Sequence, residues 1–180
     1  MVNFSQPVTV KTGALEGLSN LTQFTLWDSS IKKIEKGAFK TASKSNNTYK
    51  IHFLNAKISG KAFDNGTFDG VLDRQLDIGF WATDIDYIPE SAFKPVLEKN
   101  PKNKVYLSHS WYTECYLDCT NCGNFWLVRD KKNSQFSAYC QGQTSKTLFD
   151  EDIKLKLFAY CKWSAQIIET LFNWTPKIEP

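Results

Sequence analysis

The sequence predicts an α/β fold, a curved parallel sheet built by stacking about four copies of a 27-residue unit and closed by a disulfide-bonded cap. Three observations carry this. "FTLWDSSI", "IHFLNAKI", "IGFWATDI" and "VYLSHSWY" begin at Phe24, Ile51, Ile78 and Val105, each 27 residues after the last. Each segment has large apolar residues at its first and third positions, the alternation of a strand with one buried face. All five cysteines fall between Cys115 and Cys161, after the repeats stop.

The repeat continues beyond these two positions. The sixth position is small (Ser29, Ala56, Thr83, Ser110) and the eighth bulky (Ile31, Ile58, Ile85, Tyr112). Downstream come Gly37-Ala38-Phe39, Gly66-Thr67-Phe68 and Ser91-Ala92-Phe93, whose phenylalanines are expected to close the core from the convex side. One such strand cannot bury its apolar face alone, whereas stacked copies share a continuous core. The segments between strands, such as the polar "KTASKSNN" from Lys40 to Asn47, read as coil or short helix.

This pattern resembles the leucine-rich repeat, and "LTQFTLWDSSIKKIEKGAF" (Leu21 to Phe39) matches it best. The likeness covers about residues 8 to 115. It departs at the family's asparagine column, here Ser29, Ala56, Thr83 and Ser110. In the family that asparagine bonds neighbouring backbones. Ser and Thr do so in part and Ala56 cannot, so an irregular ladder is expected. The division that follows is repeats over residues 1–114, a cysteine cap over 115–161 and a helical tail over 162–180. The tail is apolar at Trp163, Ile167, Ile168, Leu171 and Phe172, which is helical spacing.

Cys119, Cys122, Cys140 and Cys161 form a C-x2-C-x17-C-x20-C layout. Zinc is one reading, since C-x2-C is a ligand spacing. Disulfides are preferred, because the second pair lacks that tight spacing and other features point to an oxidising compartment. Four cysteines allow three connectivities, and their spacing does not choose among them. The segment resembles a C-terminal leucine-rich-repeat cap, with Trp126-Leu127 shortly after Cys122. That resemblance implies bridges Cys119–Cys140 and Cys122–Cys161, with Trp126 in the core of the cap. "WLVRD" and "LFDEDIKLKLFAYC" are similar to the caps of secreted arthropod repeat proteins, a group that includes proteins like the non-catalytic subunit of shrimp (Oplophorus) luciferase. Cys115 is left over and reads as a buried thiol where the last repeat meets the cap, or else as the half of a bridge to a partner chain.

Five Asn-x-Ser/Thr sequons, at Asn3, Asn20, Asn46, Asn65 and Asn173, exceed the roughly one expected by chance from ordinary composition. They point to a secreted glycoprotein. The first residues lack the basic and apolar regions of a signal peptide. Gly13-Ala14-Leu15 reads as the counterpart of Gly37-Ala38-Phe39, and Val10 as that of Ile34. The expectation is therefore a chain that begins inside a repeat, with the strand of Phe24 as an uncapped sheet edge. The net charge of +3 is too small to argue for nucleic acid or an anionic membrane, and no stretch approaches the roughly 20 apolar residues of a span.

Function is expected on the concave face, where the second, fourth and fifth positions of each strand are free of the core. These are Thr25, His52, Gly79 and Tyr106; Trp27, Leu54, Trp81 and Ser108; Asp28, Asn55, Ala82 and His109. From them Trp27, Asp28, His52, Leu54, Asn55, Trp81, Tyr106 and His109 are the candidate binding residues, an aromatic centre with polar flanks that suits a protein or carbohydrate ligand. The competing expectation is that loops or another part of the chain cover these rings. His52 and His109 lie two strands apart, about 10 Å, too far to share a metal, and no acid pair, nucleophile with base or phosphate loop accompanies them. No cofactor and no catalysis are expected. An extracellular binding module is the leading function, and a non-catalytic structural subunit stabilising a secreted partner enzyme is the alternative.

Overall fold

The computed structural model describes residues 6–83, 85–108, 116–142 and 145–161. His109, Ser110, Tyr112, Cys115, Asn3, Asn173 and the tail over 162–180 lie outside them. In chain order the strands and helices are β1 (Val8–Val10), β2 (Gln23–Trp27), β3 (Ile31–Ile34), β4 (Tyr49–Leu54), β5 (Leu76–Trp81), α1 (Glu90–Lys99), β6 (Lys104–Ser108), α2 (Phe125–Arg129), β7 (Phe136–Ser137) and α3 (Glu151–Tyr160). The fold is mixed α/β with parallel sheets.

The larger sheet has the order β2-β4-β5-β6-β7. Its register is that of the sequence repeat: Phe24 pairs Ile51, Ile51 pairs Ile78 and Ile78 pairs Val105. First and third positions share one face, as the alternation requires. Ile51, Phe53, Ile78, Phe80 and Val105 have no exposed surface there. The phenylalanines downstream reach the same core. Phe39 stacks on Phe68 at 5.4 Å, Phe68 meets Phe93 at 5.1 Å, and Phe53 stacks on Phe80 at 4.9 Å. Each fully buried phenylalanine contributes about 1.5–3 kcal/mol of transfer free energy.

A second parallel ladder runs beside the first. β1 pairs β3, with Val10 opposite Ile34, and isolated bridges join Ile34 to Phe63 and Ile85 to Leu117. The expected equivalence of Val10 and Ile34 is thus a strand pairing. The glycines of the turns stack too: Gly37 N–H donates to Gly66 O at 2.9 Å, and Gly13 N–H reaches Gly37 O at 3.4 Å. All three hold φ between 63° and 74°, a conformation costly for residues with a Cβ.

The cap adds a strand that no repeat announces. β7 pairs β6, placing Phe136 beside Val105 in the buried column. Trp126 is 2% exposed and its Nε1 donates to Ile88 O at 2.8 Å. Asn124 is fully buried, accepting from Ile88 N–H at 2.9 Å and donating to Asp118 O at 2.9 Å. Disulfides join Cys119 to Cys140 and Cys122 to Cys161. Outside, Arg129 bonds Asp130 at 2.7 Å and Glu90 at 2.5 Å, while Lys94 meets Asp130 at 2.9 Å. This clasp ties α1 to the cap. It holds the Asp130 carboxyl down at about 2, chiefly through Arg129. No helix among the described residues is long and apolar enough to cross a membrane.

Candidate binding surface

The face of the larger sheet opposite the core carries the second and fourth positions of each strand. Register brings Trp27, Leu54, Trp81 and Ser108 into one row, and Thr25, His52, Gly79 and Tyr106 into a parallel one. The sequence-predicted residues on these strands are therefore neighbours. They fall into two environments.

Trp27 stands on the edge strand and is 56% exposed. Leu54 beside it is half-buried. Trp81, in the same row, folds back over its own strand. A Cβ built on Gly79 would sit 2.7 Å from Trp81 Nε1 and 2.8 Å from Tyr106 Oη. Glycine is thus what lets both side chains lie against the strand. The Trp81 and Tyr106 rings meet edge-on at 5.7 Å, and His52 meets Trp81 at 6.3 Å and Tyr106 at 6.5 Å, also edge-on. Such geometry matches positive ring edges to negative faces. The aromatic patch is therefore divided: His52, Trp81 and Tyr106 pack against one another, and Trp27 stays open.

Asp77 completes this nest, and the sequence reading missed it. It sits one residue before the buried Ile78, where alternation places it on the ring-bearing face. Its Oδ1 lies 3.8 Å from His52 Nε2, and the Tyr106 hydroxyl lies 3.4 Å from the same nitrogen. Burial pushes the His52 pKa down, the Asp77 carboxylate opposing it. Burial also raises the Tyr106 pKa, with Asp77 adding to it. Burial thus favours the neutral forms of both His52 and Tyr106. Trp81 Nε1 and Asp77 Oδ1 are buried without a hydrogen-bond partner among the described residues. Beside the nest a cleft of about 330 Å³ is lined by Asp77, Lys104, Tyr106, Ser134 and Ser137.

The fifth positions differ from the expectation of freedom. Asp28, Asn55 and Ala82 hold φ of 47°, 50° and 49°. Each ends a strand in the left-handed region, which turns the chain and keeps its N–H in the ladder: Asp28 to Leu54 O, Asn55 to Trp81 O, Ala82 to Ser108 O. Asp and Asn tolerate this conformation best among residues with a Cβ. Asn55 Nδ2 also donates to Asp28 Oδ1 at 2.5 Å. These two residues are thus held by the backbone and by each other.

Of the remaining predicted residues, Asn20, Asn46 and Asn65 are exposed. Among the described residues, no group of His, Cys, Asp and Glu is arranged to hold a metal. No protein-family model, curated protein or solved structure matches this chain.

Proposed function

We propose that this chain is an extracellular binding module of leucine-rich-repeat type, recognising a protein or glycan through the concave face of its larger sheet. The single observation that carries the reading is Trp27. A tryptophan more than half exposed is costly to leave uncovered, and it heads a row of apolar side chains, Leu54 and Trp81. Four strands in a fixed 27-residue register support the repeat assignment. The two disulfides and the exposed sequons support an oxidising, secretory origin. The face is assigned to binding rather than catalysis because His52 is packed edge-on between rings.

The test is a screen of the chain against immobilised oligosaccharides and a panel of secreted proteins, repeated with Trp27→Ala. Trp27 is the cleaner substitution, since Trp81→Ala would also dismantle the nest over Gly79. Loss of binding with an unchanged circular dichroism spectrum supports the reading. Undiminished binding by Trp27→Ala sinks it and favours a subunit that engages its partner elsewhere.

A further inference from the structure

We propose that Asn65 is a self-modification site, where the backbone nitrogen of Gly66 attacks the Asn65 side-chain amide with Asp69 as base, expelling ammonia and leaving aspartate or isoaspartate. The proposal does not rest on what the concave face binds.

Asn65-Gly66 is the one Asn-Gly pair in the sequence, and the fold sets it in a turn. Thr67 N–H donates to Asp64 O at 3.2 Å, with Asn65 and Gly66 between them. Gly66 holds φ of 74°, as the third position of a type II turn requires. The closing bond of such a turn uses the Thr67 amide, so the Gly66 amide is not spent on it. Asn65 is exposed. With no side chain, Gly66 leaves its nitrogen open to the Asn65 amide carbon. Below the turn Thr67 is fully buried, and its hydroxyl donates to Asp64 O at 2.7 Å. Asp69 N–H donates to Gly66 O at 2.9 Å, which brings the Asp69 carboxylate against the turn. A Cβ built on Gly66 would sit 2.6 Å from Asp69 Oδ2, and Lys36 Nζ lies 3.5 Å from that oxygen. A carboxylate so placed serves as base directly or through one water.

The Gly66 nitrogen bonds to Asn65 Cγ as its proton passes to Asp69. The Cγ–Nδ2 bond then breaks, and Nδ2 leaves as ammonia, taking that proton from Asp69. Water opens the resulting cyclic imide at either carbonyl. One opening gives aspartate; the other reroutes the main chain through Cγ and gives isoaspartate. The longer link falls beside Gly66, whose carbonyl accepts from Gly37 N–H at 2.9 Å in the stack of turns. Either product also ends the Asn65-Gly66-Thr67 sequon, so glycosylation and deamidation compete for one nitrogen.

Peptide mapping of the 180-residue chain, made without glycosylation and held folded at mildly alkaline pH, tests this. Trypsin releases Ala62–Arg74, in which Asn65 is the one side-chain amide. Any amide-to-acid mass gain in that peptide therefore reports the site. It is expected to accumulate about tenfold faster than at Asn20 or Asn46, located by fragment masses, whose following residues Leu21 and Asn47 carry side chains. Asp69→Ala adds no amide to the peptide. It is expected to slow the conversion several-fold while its near-ultraviolet dichroism matches the parent. Conversion at Asn65 no faster than at Asn20 and Asn46 would overturn the proposal. So would a folded Asp69→Ala variant that converts at the parent rate.

Discussion

The Thr83 hydroxyl accepts from Ala56 N–H at 3.1 Å, across the 27 residues that separate successive strands. The same oxygen lies 3.0 Å from Phe53 O and 2.9 Å from Trp81 O, each a carbonyl acceptor for its single proton. Thr83 has no exposed surface. It therefore does for one pair of turns what an asparagine column would do throughout. Alanine at position 56 supplies only backbone, and its neighbour compensates.

Thr83→Val keeps the shape and removes the acceptor, leaving Ala56 N–H buried and unpaired. A loss of about 1–3 kcal/mol is expected for that group. Urea unfolding of the variant would show it as a lower midpoint with an unchanged slope.

Ala82→Gly should stabilise. Ala82 holds φ of 49° with no side chain able to bond locally. Relief of left-handed strain, about 1–2 kcal/mol, exceeds the about 0.5–1 kcal/mol of glycine's added freedom when unfolded. A net gain of about 0.5–1 kcal/mol is expected. Differential scanning calorimetry would register it as a rise of about 1–4 °C. Asp28→Gly should gain less, because Asp28 Oδ1 accepts from Asn55.

Acid should loosen the cap before it unfolds the sheet. The Asp130 carboxyl lies at about 2 in the fold, against about 3.9 in an unfolded chain. A depressed carboxyl contributes stability that is complete above the unfolded value and lost as pH falls through the folded one. Between about pH 4 and pH 2 the parent should therefore lose melting temperature more steeply than Asp130→Asn. His52 acts in a separate window. Its folded pKa is also depressed, so its contribution erodes as pH falls below about 6.5. His52→Gln should flatten that step alone.

The strand positions were legible because the sheet imposes one register on every copy, and Phe24, Ile51, Ile78 and Val105 record it. The return segments are free to differ in length, yet glycine and phenylalanine still marked them, since Gly37 and Gly66 stack through their backbones and Phe39 on Phe68. β7 was invisible: two residues carry no period, and its place is set by pairing with β6. The left-handed column was half-written in Asp28 and Asn55 and concealed by Ala82. Most of the site was legible as a list and not as an arrangement. Trp27 and Trp81 share a column, but only Gly79, with no side chain of its own, lets Trp81 fold down beside Tyr106. Such a close approach depends on a neighbouring strand and leaves no local pattern.

Hydrogen exchange of the chain with and without a binder from the oligosaccharide and secreted-protein screen tests the proposed binding face most directly. New protection is expected in the peptides holding Thr25–Trp27, His52–Leu54 and Gly79–Trp81, strongest at Trp27. Protection confined to α1, α2 and the disulfide cap, with those three strands unchanged, would contradict it.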